Sequence, residues 1–303
     1  MQRNLSKIAL VLFVASAICT LSSTTYADWD ENNPADFARA KWIQRPDLTT
    51  TGMDVLDTQQ PVFTIPPGPL WKTLADDFKC TQSGPITDAH IWGSWLNDVL
   101  PTTSAGNPNA GLIEFKISFW SDLPVGANNS FSQPDQLLWT GLFQPGQFQV
   151  NPNVIPANEQ FYDPNLNLVI GSDTQVYQYN FSNLVDANGL NFIQSVGTIY
   201  WLEVQANVLN TPGTVPATFG WKTSQIQDQF NDDAVFADTA GFLGPNLSGW
   251  QDMHYPSGHP FAGHSLDLSF VLTVPEPSSI AMASLGLVAL VGMGYRRHRK
   301  TAC

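Results

Sequence analysis

Alternation of apolar and polar side chains constrains the fold of this chain more than any other sequence feature. Residues 113–119, 177–181, 202–208 and 266–272 place an apolar side chain at every second position. An extended strand turns successive side chains to opposite faces, so this period of two predicts half-buried β-strands. Shorter candidate strands lie at 86–95, 137–143, 215–221 and 234–237.

Segments rich in Pro, Gly and Asn separate these strands, and no sustained 3.6-residue period occurs between the two chain ends. Roughly eight to twelve half-buried strands predict an all-β fold, an antiparallel β-sandwich of jelly-roll type. Residues 28–70 are expected to be loop-rich, because prolines interrupt them repeatedly. Long loops at 101–111, 144–165 and 238–264 are expected to carry any recognition surface.

The middle of the chain is strongly acidic. All 26 Asp and Glu residues lie between Asp28 and Glu276 with only seven of the 13 Lys and Arg residues, which leaves a net charge of −19 there. Such a surface repels phosphate backbones, so nucleic acid is excluded as a partner. Charged residues make up only 13% of the chain and aromatic residues 12%, which excludes a disordered chain.

The N-terminus has the features of a secretory signal peptide at residues 1–27. Two basic residues precede an apolar run of twelve at 8–19. Small residues at the −3 and −1 positions predict cleavage by signal peptidase between Ala27 and Asp28. A retained anchor helix is the alternative. A lipoprotein signal at Cys19 is disfavoured, because a bulky isoleucine precedes it.

The C-terminus combines a short motif, an apolar span and a basic cluster. The motif is Pro275, Glu276 and Pro277, the span is 279–295, and the cluster is Arg296, Arg297, Arg299 and Lys300. At 1.5 Å per residue the span measures roughly 25 Å, which crosses a bilayer when its flanks enter the interface. The basic cluster is expected to stay in the cytoplasm, which places residues 28–274 outside the membrane.

The order of these three parts resembles the PEP-CTERM sorting signal of Gram-negative bacteria. The resemblance is confined to residues 274–300 and implies recognition of Pro275-Glu276-Pro277 by an exosortase. It also implies export in a cell that makes exopolysaccharide, followed by release to the cell surface or the extracellular matrix. An ordinary membrane anchor with a proline-rich stalk is the alternative.

The body of the chain, residues 28–273, is expected to form the sandwich between the signal peptide and the sorting segment. Its motifs include Ala75-Asp76-Asp77-Phe78, Gly220-Trp221-Lys222-Thr223, Asn231-Asp232-Asp233-Ala234-Val235 and Gly258-His259-Pro260. They resemble an uncharacterised domain that recurs in bacterial proteins with this tail. The resemblance spans most of residues 40–273 and implies no activity.

Two aspartate pairs are candidate calcium ligands, Asp76 with Asp77 and Asp232 with Asp233. Calcium prefers carboxylate oxygens, and the residues would come from separate loops, because the chain lacks the helix-loop-helix calcium pattern. The alternative is that these are solvated carboxylates in turns and at strand edges.

His254, His259 and His264 recur at five-residue intervals and are a candidate zinc set. Pro and Gly occur throughout this segment, so the spacing does not fix a common face. We therefore favour loop histidines that bond the backbone or stack on Tyr255.

The body contains a single cysteine, Cys80, since Cys19 and Cys303 lie in the two end segments. No intramolecular disulfide can form within the body. Cys80 is expected to be a buried packing residue rather than a nucleophile.

Four of the ten tryptophans, Trp92, Trp139, Trp201 and Trp250, are candidates for a carbohydrate platform. Sugars stack their apolar faces on aromatic rings. For each residue the alternative is core packing, because an indole ring buries a large area.

Glu114 and Glu203 are the candidate catalytic pair of a polysaccharide-acting glycoside hydrolase, which needs two carboxylates about 5–10 Å apart. Each lies in a predicted strand on the face opposite the apolar side chains, together with Trp120 and Trp201. The alternative is an ordinary exposed face on which Glu114 pairs with Lys116.

The chain lacks a nucleophile elbow, a phosphate-binding loop, a dinucleotide fingerprint and a zinc-protease helix motif. We therefore predict an exported protein without enzymatic activity. Its expected role is structural or adhesive, through exopolysaccharide or another surface protein. A glycoside hydrolase is the alternative, and an architectural coat protein without a ligand is a third hypothesis.

Overall fold

Two β-sheets packed face to face form the body of the protein in the computed structural model. The structure describes residues 28–58, 70–126, 128–209 and 216–274, and for residues 153–157 it describes only the backbone. The strands are β1 (Ala40–Gln44), β2 (Met53–Leu56), β3 (Trp71–Lys79), β4 (Gly84–Ile86), β5 (Asp88–Trp95), β6 (Ile113–Leu123), β7 (Gln133–Phe143), β8 (Gln149–Asp163), β9 (Leu168–Ser182), β10 (Phe192–Gln194), β11 (Ile199–Val208), β12 (Phe219–Lys222), β13 (Val235–Thr239), β14 (Gln251–Asp252) and β15 (Phe270–Thr273). The helices are α1 (Pro34–Arg39) and two 3-10 helices, Leu96–Asp98 and Ile226–Asp228.

The first sheet has the strand order β1-β15-β5-β12-β2-β8-β9. Strand β9 pairs with β5 as well as with β8, so β5, β12, β2, β8 and β9 form a closed ring of five strands. Strands β2 and β8 run parallel, with Met53 opposite Gln160, and the other pairings in the ring are antiparallel. Within the ring each strand is therefore paired on both sides.

The second sheet has the order β14-β13-β3-β11-β6-β7, and all its pairings are antiparallel. Strand β11 lies between β3 and β6, with Glu203 opposite both Ala75 and Ser118. This register places the outward-facing side chains of three strands side by side. A small sheet of β4 and β10 lies beside the two large ones.

Aromatic side chains fill the space between the sheets. Phe115 of β6 is fully buried, and its ring centroid lies 5.1–5.4 Å from those of Phe148, Tyr179, Phe181 and Phe219. All four contacts have the edge-to-face geometry that the ring quadrupoles favour. Because Tyr179 and Phe181 belong to β9 and Phe219 to β12, this cluster joins the second sheet to the first.

The predicted all-β fold with antiparallel sheets is confirmed, and the alternating segments at 113–119, 177–181 and 202–208 lie in β6, β9 and β11. The segment at 266–272 contributes only its last residues, to β15. The segment at 86–95 divides at Thr87 into the end of β4 and the whole of β5.

The prediction of a loop at 144–165 was wrong, because residues 149–163 form β8. Prolines within this segment suggested a loop. In the structure Pro152 lies opposite Tyr177 of β9, and the pairing of β8 with β2 begins only at Gln160. The first half of β8 thus pairs along one edge, and proline is tolerated in such edge strands.

The N-terminal part of the body contains regular structure as well as loops. Helix α1 begins with a proline, and the side chain of Asn33 accepts a hydrogen bond from the backbone N–H of Ala35. Within the described residues no helix is long and apolar enough to cross a membrane. The predicted signal peptide at 1–27 and the predicted span at 279–295 lie outside those residues.

Candidate functional site

A groove of about 1060 Å³ lies on the outer face of the second sheet. Strands β3, β6, β7 and β11 contribute side chains to it, and residues 146–147, 182–183, 185–187 and 243–246 from three neighbouring segments line its sides. Two of these segments belong to the predicted loops at 144–165 and 238–264. We refer to it below as the outer groove.

Strand alternation explains why polar side chains line the outer groove. In β6, Phe115 and Ile117 are fully buried in the core, and Lys116, Ser118 and Trp120 face the groove. The same alternation in β11 turns Glu203 to the groove between core residues of that strand.

Glu203 is the centre of a hydrogen-bond network at the base of the outer groove. Its side chain is almost fully buried, and one carboxylate oxygen, Oε1, accepts a hydrogen bond from Thr73 Oγ1 at 2.7 Å and contacts Lys116 Nζ at 2.7 Å. The other oxygen, Oε2, accepts from Trp120 Nε1 at 2.7 Å. Both oxygens are therefore held by fixed donors, and Lys116 compensates the charge.

Two tryptophans provide the aromatic surface of the outer groove. The rings of Trp120 and Trp250 meet edge to face, with centroids 6.5 Å apart, and both side chains are half-buried. Leu137 and Leu142 add apolar surface, with 50% and 45% of their area exposed. The outer groove thus combines aromatic and aliphatic surface with a fixed polar base.

The structure brings only one of the four predicted platform tryptophans to the outer groove. Trp250 lines it, whereas Trp92, Trp139 and Trp201 are buried, with 3%, 6% and 0% exposure. For these three candidates the alternative, core packing, is the correct one. Trp120 was missed as a platform residue, although the alternation along β6 places it on the same face of the strand as Lys116.

Glu114 and Glu203 do not form a two-carboxylate site. The register of β6 and β11 aligns Glu203 with Ser118 and Glu114 with Asn207, so four residue positions separate the two along the strands. At 3.4 Å per residue their backbone positions are about 14 Å apart along the strands, whereas the two carboxyl groups of a glycoside hydrolase lie about 5–10 Å apart. Glu114 accepts a hydrogen bond from Asn207 Nδ2 at 2.7 Å, and Lys116 pairs with Glu203 rather than with Glu114.

The four predicted calcium aspartates are not brought into one ligand set. Asp76 and Asp77 are successive residues of β3, so their side chains point to opposite faces of the sheet. The Asp76 carboxylate accepts hydrogen bonds from the backbone N–H of Leu268 at 2.6 Å and from Gln44 Nε2 at 2.9 Å. This carboxylate therefore binds donors within the protein. Neither residue belongs to a group of three metal-binding side chains within the described ranges.

Asp77 has a different environment from Asp76. It is fully buried, and neither of its carboxylate oxygens has a hydrogen-bond partner of standard geometry. Burial, together with the negative charges of Asp267 and Asp232, raises the pKa of Asp77 to about 9. With no cation bound, this carboxyl is therefore protonated at neutral pH.

The three histidines do not converge on one point. His259 is buried, contacts the carbonyl of Thr51 through Nε2 at 3.0 Å and stacks on Tyr255 with centroids 4.5 Å apart. His254 lies instead 3.0 Å from Asp233 and 3.4 Å from Asp252, on the exposed surface. The residues that meet there are Asp233, Asp252 and His254.

The side chain of Cys80 is buried, with 2% of its area exposed. Its thiol donates to the carbonyl of Gln82 at 3.0 Å. Burial raises the pKa of the Cys80 thiol, so it remains protonated at neutral pH.

Comparison with protein families gives two matches. Residues 40–273 match the family model described as Domain of unknown function (DUF7901), and residues 273–300 match the PEP-CTERM protein-sorting motif. Searches of curated proteins and of solved structures gave no match. The second match includes Pro275, Glu276 and Pro277 and the basic cluster from Arg296 to Lys300, all of which lie outside the described residues.

The fold and the sorting motif together define an exported protein with an all-β body, sorted through the membrane by a PEP-CTERM signal. This signal implies processing by an exosortase during export. The chain belongs to the DUF7901 family, whose model covers most of its length. The resemblances inferred from the sequence are thereby confirmed for both parts of the chain.

Proposed function

We propose that the body of this protein is a binding module without enzymatic activity, which holds carbohydrate in the outer groove. In this role it serves as a structural or adhesive protein at the cell surface or in the exopolysaccharide matrix. A surface protein in place of exopolysaccharide is the second candidate partner.

The observation that carries this proposal is the pairing of Trp120 and Trp250 above the Glu203 network. A pyranose ring has apolar C–H faces, which pack on aromatic rings, and a rim of hydroxyls, which need fixed donors and acceptors. The volume of about 1060 Å³ lies at the upper end of the range for small-ligand pockets and suits an oligosaccharide segment.

The charge of the body favours a neutral glycan. Its net charge of −19 repels uronate- or sulfate-rich polymers. Lys116, the lysine that lines the outer groove, is already paired with Glu203 and is not free to bind an anionic sugar.

The contacts of Glu203 support binding rather than hydrolysis. A general acid or nucleophile needs an oxygen free to reach the substrate, and both oxygens of Glu203 are held by three side chains. A hydrolase that uses Glu203 with Glu114 has less support, because about 14 Å separates their positions along the strands. We therefore expect wild-type protein to release no reducing ends from exopolysaccharide, with Glu114→Gln and Glu203→Gln indistinguishable from it.

The direct test is co-sedimentation of the full-length protein with neutral exopolysaccharide from its source cells. We expect saturable pelleting and a change in tryptophan fluorescence. Trp250→Ala is expected to weaken binding about 10-fold or more, because it removes one of the two rings of the aromatic pair.

Phe37→Ala is the matched control. This aromatic side chain is 41% exposed on α1, outside the outer groove, and its loss is expected to leave binding unchanged. Equal binding by wild type and Trp250→Ala would reject the outer groove as the site. Absence of pelleting by the wild type would favour a protein partner or a passive coat.

A further inference from the structure

The closed ring of five strands contains a cluster of polar side chains that has no part in the outer groove. Each strand contributes one residue: Ser94 from β5, Lys222 from β12, Asp54 from β2, Glu159 from β8 and Asp173 from β9. Their exposed fractions are only 0–1%. We call these five residues the ring cluster.

The side chains of the ring cluster converge inside the ring. Oxygens of Asp54, Glu159 and Asp173 lie within 4.8 Å of one another. Asp54 and Asp173 belong to β2 and β9, which are not neighbours, so they meet across the interior rather than along a pair of strands. Lys222 Nζ lies 3.3 Å from Asp54 Oδ2 and also donates to Glu159.

The ring cluster is short of positive charge. Three carboxylates face one ammonium group, which leaves a charge of −2 when all are ionised. Burying uncompensated charge is costly, and such groups in proteins are paired, coordinated to a metal or neutralised by protons.

The ring cluster also has oxygen atoms without partners. Asp54 Oδ1, Glu159 Oε1 and both carboxylate oxygens of Asp173 are buried and have no hydrogen-bond partner of standard geometry, although the side chains of Asp54 and Asp173 interact with each other. The hydroxyl of Ser94 is also fully buried; it interacts with Asp54 and Asp173 but meets standard hydrogen-bond geometry with neither. The ring cluster therefore buries several oxygen atoms that no donor of standard geometry satisfies.

We propose that the ring cluster is a binding site for one divalent cation, Ca²⁺, held by Asp54, Glu159 and Asp173 with Ser94 as a further oxygen ligand. A charge of +2 balances the cluster. Calcium–oxygen bonds of about 2.3–2.6 Å separate opposing ligand oxygens by up to about 5 Å, which matches the spacing of the three carboxylates. Magnesium is disfavoured because it retains bound waters, and the site is fully enclosed.

The backbone beside the cluster leaves little space for any larger group. A Cβ atom at Gly52 would lie 2.7 Å from Lys222 Nζ and 2.8 Å from Glu159 Oε1. The glycine lets the chain approach the charged groups closely. An ion bound there would join four strands of the ring, β2, β5, β8 and β9.

Protonation of the carboxyls is consistent with a cation-dependent site. Burial and neighbouring carboxylates raise the pKa of Asp173 to about 9, and burial raises that of Glu159 to about 7. Without a cation, protons neutralise the cluster at neutral pH.

The test uses the full-length protein, unfolded in urea and refolded in EGTA, in Ca²⁺ or in Mg²⁺. After removal of free ions we expect about one calcium per chain, and saturating Ca²⁺ should raise Tm by about 5–10 °C relative to EGTA. Magnesium should give less than half of that shift. Asp173→Asn keeps the side-chain shape but removes the charge, and it should lose both the bound calcium and the shift.

Asp233→Asn is the control, because Asp233 belongs to the separate exposed group with Asp252 and His254. It should bind calcium as the wild type does. The proposal is overturned if Asp233→Asn rather than Asp173→Asn removes the calcium, or if the wild type binds none. A mass measurement of the digested protein gives another test. The proposal is also overturned if it finds a cross-linked peptide in which an amide bond joins Lys222 to Asp54 or Glu159, with a mass 18 Da below the sum of the two fragments.

Discussion

Lys222→Met is expected to lower the free energy of unfolding by about 3–5 kcal/mol, measured by urea denaturation in EGTA at pH 7.5. Lys222 is fully buried and is the cation that contacts both Asp54 and Glu159. Burial lowers the pKa of Lys222, but the attraction of the two carboxylates outweighs this and raises it, so the ammonium stays charged. Methionine fills the same space without charge and leaves the carboxylates uncompensated.

Two further variants separate this charge effect from a general loss of packing. Lys79→Met changes an exposed lysine at the end of β3 and should alter stability by less than about 0.5 kcal/mol. Adding Glu159→Gln to Lys222→Met removes one of the unpaired acids and should restore part of the loss. A loss below about 1 kcal/mol in Lys222→Met would show that Lys222 does not neutralise the ring cluster.

The sequence predicted the second sheet better than the first. Strands β6 and β11 alternate strictly, because one face packs on the core and the other faces the outer groove. Strand β8 could not be predicted in the same way, because its prolines are compatible with a strand only where one edge is unpaired. Ring closure depends on the pairing of β9 with β5, a long-range contact that no local pattern encodes.

The alternation of side chains along the predicted strand placed Trp201 on the outer face of the sheet, and this was correct. The alternation did not reveal that the side chain is buried. The side chains of Trp120, Phe131 and Trp250 pack over this part of the sheet. Trp201 Nε1 then donates to Asp122 at 2.9 Å beneath them. Exposure therefore depends on segments distant in sequence, which is why Trp201 was wrongly grouped with Trp250.

The ring cluster was missed for a related reason. Lysine is normally exposed, so the motif Trp221-Lys222-Thr223 gave no sign that Lys222 is fully buried. Its acidic partners Asp54, Glu159 and Asp173 are far apart in the chain. Only the pairing of four strands, β12, β2, β8 and β9, brings them together with Lys222.

Asp77→Asn is expected to stabilise the protein at pH 8 and to reduce the dependence of its stability on pH. The pKa of Asp77 is raised by burial, and by Asp267 and Asp232, from the ordinary 3.8 to about 9. Between these values the folded state holds a proton that the unfolded state has lost, so stability falls as pH rises, by up to about 1.4 kcal/mol per pH unit. Asparagine does not titrate and has the same shape, so this contribution disappears.

The measurement is urea denaturation of wild type and Asp77→Asn from pH 4.5 to pH 8.5, in EGTA so that any calcium effect is removed. The two proteins should be similar near pH 4.5 and should diverge as pH rises, with the variant more stable by about 3 kcal/mol or more at pH 8.5. Asp135→Asn, at an exposed position of β7, should follow the wild type throughout. Parallel curves for wild type and Asp77→Asn would mean that folding does not raise the pKa of Asp77, which would contradict the prediction.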